Sequence, residues 1–497
     1  MDGAGLENAH NGVRSDDVVE VKGRRRVSNG IINRARRLLL MKVDQKRRWK
    51  MFWAAGAIMA LVAGMASTVP SAYAGGTIKV DDDKWISLGM GTRLSFNAVE
   101  DGSASGGQYS NTFGVNNARI YINGKIHKYV GFEFNTECFN CTQNAGNGNG
   151  SSGNGFGANS NIGMLDAIGK FELDEKVNIW FGRMLVPTER GELNGPFYHA
   201  VFDGFRTPFN QSDFSGNFGA GGAGLYGRDN GVTFFGKVHP GGTHLQYVGG
   251  IFTGLQSGGG ACNLPTLTPT AGGTVLTPST YGGPCGANQR NNLKYAGRLT
   301  WNLLNEEKNP GYYTSGTYYG TAGDILALAV GGEYQNSGAG TAINQSVYGN
   351  LTTDLLFEKV LPDKGVVTFN AEFKRYWAQN LAAYTDASSN VGGCFCMFAG
   401  TAWTGYALYL FPQEIGIGRF QPYGRYTGQN GEFSGVREEF ELGLNYVIAG
   451  HNARISTYWR TGNIGNSSTY NGQNLSYAPG STGQHVDTFV TAVQLQY

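Results

Sequence analysis

Apolar and polar residues alternate strictly over long stretches of this chain. In 85–99, Leu88, Met90 and Leu94 fall on one face, and polar or small residues such as Arg93 fall on the other. Alternation with a period of two predicts a β-strand with one apolar and one polar side. A strand of about 9 to 11 residues crosses a bilayer, whereas strands of soluble proteins have about 5 or 6 residues. The pattern therefore predicts membrane strands with a lipid face and a water face.

The same alternation recurs to the end of the chain. It predicts sixteen strands, at 85–99, 116–127, 130–138, 162–173, 177–186, 229–238, 243–253, 292–304, 323–336, 345–358, 365–377, 402–411, 419–428, 437–448, 452–461 and 485–497. Long and short connections alternate, except that 304–322 is long where a short one is expected. An even number of antiparallel strands can close into a barrel, which satisfies every backbone group in lipid. We therefore predict an all-β fold, a transmembrane antiparallel β-barrel of about 16 strands.

The last predicted strand ends the chain on an aromatic residue. Phe489, Val493, Leu495 and the terminal Tyr497 share its apolar face. This arrangement is similar to the carboxy-terminal recognition signature of bacterial outer-membrane proteins. We therefore expect the barrel to lie in the bacterial outer membrane, with outer-membrane lipid against its apolar side.

The residues before 75 carry the features of an export signal. Basic residues within 46–50 precede the apolar run 51–65, and small residues follow at Ala72 and Ala74. This order resembles a secretory signal peptide, which predicts a signal peptide at 41–74 and an outer-membrane barrel at 75–497. The adjacent Arg47 and Arg48 leave a twin-arginine signal as an alternative. Residues 1–40 fit no export signal, so we interpret them as an upstream extension or a disordered tail.

Composition and charge agree with one large barrel. Of 497 residues 78 are Gly, 12% are aromatic and 15% are charged, whereas charged residues make up about 25% of typical soluble domains. No linker or charge block divides the chain after residue 75. Residues 1–74 hold 13 of the 39 Lys and Arg and 6 of the 37 Asp and Glu, which leaves 26 basic and 31 acidic residues and a formal charge of −5.

The third long connection, 187–228, is the candidate constriction. It is rich in Gly, Phe, Asn and Asp, and it has no helical or strand period long enough for a second domain. Loops of this length are more often functional than idle. We predict that it folds inward and narrows the barrel; a solvated surface loop is the alternative.

Several motifs, in order, carry a resemblance to a known family: GRMLVPTERGEL, GRDNGVTFFGKV, YALYLFPQE with GRFQPYGRYTG, and FELGLNYVIAGHNARI. Together they resemble the phosphate-selective porin O/P family over 85–497. The resemblance implies an outer-membrane porin of sixteen strands, commonly trimeric, with a constricting third loop and basic lumen residues that attract anions. A homotrimer and small ions or solutes such as inorganic anions are therefore the expected partners, and nucleic acid is not.

Lumen-facing charges are the candidate selectivity residues, because a pore acts through its radius and its local charge. Strand parity and the third loop together supply ten of them: Arg93, Arg119, Lys125, Glu133, Arg183, Arg190, Arg206, Arg228, Glu372 and Lys374. The alternative is solvated lining without individual effects. The third loop holds three Arg, no Lys and four acidic residues, which departs from a phosphate-selective constriction. We therefore expect a weak to moderate anion preference.

The sequence favours a channel over other classes of protein. It contains no G-x-S-x-G, H-E-x-x-H or P-loop motif, and we interpret the lone His127, His239 and His451 as solvated turn or lumen residues. The predicted function is passive diffusion of small hydrophilic solutes and ions, without catalysis. A non-conducting structural or adhesive barrel and an outer-membrane enzyme are the alternatives.

Six cysteines form three local pairs in predicted long loops or at their bases: Cys138 with Cys141, Cys262 with Cys285, and Cys394 with Cys396. An exported chain meets an oxidising compartment, so we predict local disulfides, with a metal or haem site as the alternative. Thr142 follows the first pair where haem attachment requires His. No cofactor and no metal is predicted.

Overall fold

The structure is a computed structural model that describes residues 76–100, 108–139, 161–204, 227–254, 262–270, 273–281, 288–340, 344–377, 399–432, 435–464, 469–470, 473–474 and 485–497. Its strands are β1 (Gly76–Asp81), β2 (Lys84–Val99), β3 (Ser110–His127), β4 (Val130–Phe139), β5 (Asn161–Glu172), β6 (Asn178–Leu185), β7 (Arg228–Val238), β8 (His244–Phe252), β9 (Cys262–Thr270), β10 (Gly273–Tyr281), β11 (Lys294–Asn302), β12 (Ile325–Gly340), β13 (Gln345–Val360), β14 (Val366–Trp377), β15 (Gly400–Leu410), β16 (Arg419–Gly431), β17 (Val436–Val447), β18 (Ala453–Gly462), β19 (Thr469–Tyr470), β20 (Gln473–Asn474) and β21 (Val486–Gln496). A short helix, α1 (Arg190–Asn194), and a 3-10 turn at Pro240–Gly242 accompany them. No helix in these ranges is both long enough and apolar enough to cross a membrane.

Sixteen strands close into one antiparallel barrel. β2 pairs with β3 along one edge and with β21 along the other, and β8 pairs directly with β11. Each remaining barrel strand pairs with its neighbours along the chain, and β18 pairs with β21 to complete the circle. Closure leaves no exposed sheet edge in the hydrocarbon, where water cannot satisfy backbone groups. The predicted all-β fold and its sixteen strands are confirmed.

Alternation along the strands separates an apolar exterior from a polar interior. On β2, Leu88 and Met90 are 57% and 62% exposed, whereas Arg93 is 5% exposed. On β14, Phe373 is exposed while its neighbour Lys374 is fully buried. An apolar outer face around a polar inner face is the surface that lipid requires. The chain is therefore a barrel of the bacterial outer membrane.

β1 lies at the seam of the barrel. Tyr497 exchanges two backbone hydrogen bonds with Met90, of 3.0 and 2.7 Å. Gly76 pairs with Leu88, two residues further along the same edge of β2. β1 therefore continues the line of the last strand along this edge.

The strand boundaries differ from the prediction where the alternation changes phase. β3 begins at Ser110, before the predicted start at 116. Arg93 faces Asn117 while Leu94 faces Val115, so Asn116 is an extra residue, a β-bulge. The bulge reverses which positions face inward, and this hides the first part of β3 from a search for strict alternation. A second difference is the hairpin of β9 and β10, in a connection for which the sequence predicts no strands.

Candidate functional site in the barrel interior

The connection from β6 to β7 contacts the polar inner face of the barrel. Residues 188–204 of this connection are here called the β6–β7 segment. Side chains of β17, β21 and β18 donate hydrogen bonds to its carbonyl groups: Asn445 to Ala200 (3.0 Å), Gln494 to Phe197 (2.8 Å) and Arg454 to His199 (2.8 Å). The backbone amide of Gly191 donates to Glu372 of β14 (3.0 Å). The segment is thus held by several different strands; 205–226 lie outside the described residues.

A second interior element is the connection 303–324, here called the β11–β12 segment. The Tyr312 hydroxyl donates to the carbonyl of Leu185 (2.7 Å), and the Thr317 hydroxyl donates to Glu358 (2.7 Å). This is the connection whose length breaks the long–short alternation of the sequence. The length of this connection and its tyrosines are the two sequence features that could have drawn attention to it. Neither feature predicts that the β11–β12 segment is buried inside the barrel.

The two segments are joined through Arg190. Its guanidinium donates two hydrogen bonds of 2.7 Å to the carboxylate of Glu307 and one of 2.9 Å to Asp354, and its side chain is fully buried. Burial by itself lowers the pKa of Arg190, but the carboxylates of Glu307 and Asp354 prevail and hold that pKa above its usual value. The Thr314 hydroxyl adds a hydrogen bond to the Arg190 carbonyl (3.0 Å). Arg190 therefore anchors the β6–β7 segment to the β11–β12 segment.

Apolar packing fills part of the interior. One cluster joins Trp180 and Phe235 of the wall to Tyr312 of the β11–β12 segment. A second joins Val201 and Phe202 of the β6–β7 segment to inward-facing residues of β15, β16, β18 and β21, namely Tyr406, Leu408, Tyr423, Tyr458, Val490 and Ala492. Both segments are consequently held by burial as well as by hydrogen bonds.

A cavity of about 570 Å³, here called the lumen chamber, lies beside these segments. The walls of β2, β3, β4 and β5 bound it on one side, with Ser87, Arg119, Glu133 and Lys170 among the lining residues. The other side is bounded by Leu193, Asn194, Gly195, Phe197 and Tyr198 of the β6–β7 segment and by Asn309, Pro310, Tyr313 and Thr314 of the β11–β12 segment. The chamber thus has one charged wall and one wall without charged side chains.

The charged wall consists of ion pairs. Arg119 contacts Glu137, Lys170 contacts Glu133, and Arg228 donates to Asp166 at 2.9 Å. Four residues of the predicted set, Arg119, Lys125, Glu133 and Arg228, line this one chamber. Their partners Glu137, Asp166 and Lys170 escaped the sequence analysis, although their places at alternate inward positions of β4 and β5 could have indicated them.

The other predicted residues lie elsewhere in the interior. Glu372 and Lys374 contact the β6–β7 segment, through Gly191 and Glu189 respectively. Arg93 donates to Asn117 (2.9 Å) and to the carbonyl of Phe202, with its guanidinium 4.0 Å from the Phe202 ring centre. Arg206 lies outside the described residues.

Arg183 is buried because the backbone changes phase just before it. Phe181 is 65% exposed and Arg183 6%, although strict alternation gives both the same face. Between them Gly182 has a φ of +134°, and a Cβ there would stand 2.0 Å from the carbonyl oxygen of Ala167. Glycine is the residue that adopts this conformation without strain.

Two partly buried histidines, His199 and His451, lie in or against the interior segments. His451, in the turn between β17 and β18, contacts the Ser315 hydroxyl (3.0 Å) and the Thr317 carbonyl (2.9 Å) through Nε2. Burial and nearby arginines lower the pKa of His451 and that of His199 to about 3. Both imidazoles are therefore neutral at physiological pH.

The structure holds only part of the cysteine set. Cys138 lies on β4 and Cys262 begins β9. Cys141, Cys285, Cys394 and Cys396 lie outside the described residues, so the three disulfides stay predictions. Within the described ranges, no group of three or more His, Cys, Asp and Glu side chains could hold a metal ion.

Comparison with known proteins finds similar structures but no relative in sequence. No protein-family model matches it, and no curated protein matches it in sequence. Among solved structures it is similar to the outer-membrane expressed OmpT of Vibrio cholerae, at 11% identity and a TM-score of 0.44, over 84% of this chain and 100% of that one. It is similar to an anion-selective porin from Comamonas acidovorans, at 11% identity and a TM-score of 0.45, over 83% of this chain and 99% of that one. It is also similar to the outer membrane channel DcaP of Acinetobacter baumannii, at 11% identity and a TM-score of 0.40, over 85% of this chain and 100% of that one. At these identities and TM-scores the likeness transfers no function to this chain.

Proposed function

We propose that the chain is an outer-membrane porin through which small hydrophilic solutes and ions diffuse passively. The observation that carries this proposal is the lumen chamber, a cavity of about 570 Å³ with a charged wall inside a barrel whose exterior is apolar. A polar lumen lets hydrated solutes cross a membrane that otherwise excludes them. The β6–β7 segment supplies the constriction, because its buried contacts leave the chamber confined to the side of β2 to β5.

The proposed channel has a weak preference for anions. Arg119, Lys170 and Arg228 each contact a carboxylate, so their charges largely cancel locally. Lys125 is the lining cation with the loosest pairing, since its Nζ is 4.0 Å from Glu172 and its side chain is 31% exposed. A phosphate-specific filter would need cations free to bind an oxyanion. Because these cations are paired, we propose a general channel and not a phosphate-specific one. We also propose a homotrimer, and this part of the proposal rests on the family resemblance alone.

Catalysis is not part of the proposal. The sequence lacks the motifs of known hydrolase and nucleotide sites. A barrel that only adheres or only supports the envelope would give no conductance. A conductance measurement therefore distinguishes a channel from an adhesive or structural barrel.

Single-channel recording in planar bilayers tests the proposal. The wild type should conduct in symmetric KCl and show a small anion-directed reversal potential in asymmetric KCl. Ser87→Trp, which adds bulk to the chamber wall, should lower the conductance, while Leu88→Trp on the lipid face should not. A correctly folded wild type without conductance would contradict the proposal. Equal conductance of the two variants would show that ions do not pass through the lumen chamber.

A further inference from the structure

Aromatic side chains line the lumen chamber on both of its sides. Trp85 and Tyr121 belong to β2 and β3, whereas Phe197, Tyr198 and Tyr313 belong to the two interior segments. Tyr198 is 46% exposed, although the adjacent Phe197 is only 1% exposed. Tyr198 therefore presents accessible aromatic surface to a solute inside the chamber.

Contacts with neighbouring rings hold these aromatic side chains in place. The ring centroid of Tyr198 is 5.2 Å from that of His451. The ring of Tyr313 packs edge to face with Trp180, at 5.4 Å and an interplanar angle of 75°. A side chain that its neighbours already order loses little further freedom when a ligand contacts it, so less binding free energy is spent on ordering.

Side-chain amides surround the aromatic surface. The chamber is lined by Asn123, Asn135, Asn194, Asn309, Asn452 and Gln496. Each amide offers both donors and an acceptor. In the part of the chain that the structure describes, Oδ1 of Asn135, whose side chain is buried, and the Tyr313 hydroxyl have no hydrogen-bond partner. A solute hydroxyl both donates and accepts, so it can pair with either kind of group.

The ion pairs of the charged wall favour a solute without net charge. Glu133 accepts a hydrogen bond from Asn135 (2.7 Å) at one oxygen and contacts Lys170 through the other. A carboxylate has about four acceptor sites and an ammonium group three donors, so both can bond to hydroxyls while the pair stays intact. A charged solute, in contrast, must compete with the opposite charge that Glu133 and Lys170 already contact.

We propose that the lumen chamber is a binding site for a neutral saccharide, with the apolar face of a sugar ring against Tyr198 and its hydroxyls at the amides and ion pairs. This inference rests on the proposed channel, in whose path the saccharide would bind. The cavity of about 570 Å³ has the size of small-molecule sites, which measure about 300–1,000 Å³ and combine aromatic surface with a few placed polar groups.

Ion current through single channels in planar bilayers, recorded while maltose is added, tests the site. We expect maltose to reduce the current of the wild type saturably. Mannitol at the same concentrations is the matched solute, because it carries as many hydroxyls per carbon but is linear and has no ring face. It should lower the current only as far as it lowers the conductivity of the bulk solution.

Three variants separate stacking from other effects. Tyr198→Ala should raise the half-saturating maltose concentration about three- to tenfold, because the aromatic face is lost. Tyr198→Phe keeps the ring and should stay within about twofold of the wild type. Tyr295→Ala removes a tyrosine that is 51% exposed on the lipid face of β11, and it should bind maltose as the wild type does. Migration of unheated samples on gels checks that each variant is folded.

The outcomes distinguish this inference from the proposed function. A wild type that conducts but shows no saturable maltose effect, or a folded Tyr198→Ala with unchanged maltose affinity, would overturn the saccharide site and leave the channel standing. A wild type that does not conduct would contradict the channel. Equilibrium dialysis of radiolabelled maltose against the barrel, in a detergent without a sugar headgroup, then still decides the site: retention that falls in Tyr198→Ala supports it, and no retention overturns it.

Discussion

Replacing Arg190 by Met should release the contact between the two interior segments. The change removes a fully buried cation that pairs with Glu307 and Asp354. Breaking a buried pair from one side costs about 3 to 5 kcal/mol, because the other charge stays buried without compensation. Asp354 keeps its bidentate contact with Arg298, and Glu307 keeps a hydrogen bond of 2.9 Å from the Tyr318 hydroxyl. We therefore expect the lower value of this cost, about 3 kcal/mol. A change of this size shifts the equilibrium between closed and open segments about a hundredfold toward the open form.

Native-state proteolysis measures that equilibrium. Tyr312, Tyr318 and Tyr319 of the β11–β12 segment are between 1% and 8% exposed, so chymotrypsin cuts there only after the segment opens. When opening is fast relative to cleavage, the cleavage rate follows the population of the open form. Arg190→Met should therefore be cut in 312–319 about a hundredfold faster than the wild type, while the sixteen-stranded sheet stays closed.

A second replacement separates the charge effect from lost packing. In Arg190→Met with Glu307→Gln, no uncompensated carboxylate remains, and the cleavage rate should return to within about tenfold of the wild type. A single variant that is cut no faster than the wild type would refute the anchoring role of Arg190. A double variant as labile as the single one would show that packing, and not charge, holds the segments.

Three further outcomes are expected. Because the pKa of folded His451 is about 3 and its unfolded value is near 6.5, its neutral form stabilises the interior above pH 6.5 and this contribution is lost as the pH falls toward 3; recordings at pH 4.5 should show noisier currents than at pH 7.5, and this difference should be smaller in His451→Asn, where His199 still contributes. Lys125→Gln should shift the reversal potential toward cations more than Arg228→Gln does, since Arg228 is paired with Asp166; an equal shift would contradict the pairing argument. Mass mapping of unreduced protein should find Cys262 linked to Cys285, and free thiols at both would contradict the predicted bridge.

The sixteen strands and their inward faces follow from the sequence because the bilayer imposes a local rule. Each strand must be long enough to cross and must alternate lipid-facing with water-facing residues, so the pattern of 85–99 identifies β2 without knowledge of its neighbours. The rule fails where geometry changes within a strand. The bulge at Asn116 and the positive φ of Gly182 each reverse the phase, and a rule of strict alternation cannot follow such a reversal.

What only the tertiary structure decided is how the interior is filled. The sequence supplies Arg190, Glu307 and Asp354 as isolated charges far apart along the chain, and their pairing depends on two connections meeting inside a closed barrel. His244 and Glu306 come together for the same reason, since neighbouring hairpins share a rim only after the strands have paired. Local alternation determines which side of the wall a residue faces, because a strand has only two faces. The partner that each inward charge meets is set by barrel closure and segment packing, which depend on contacts between residues distant in sequence.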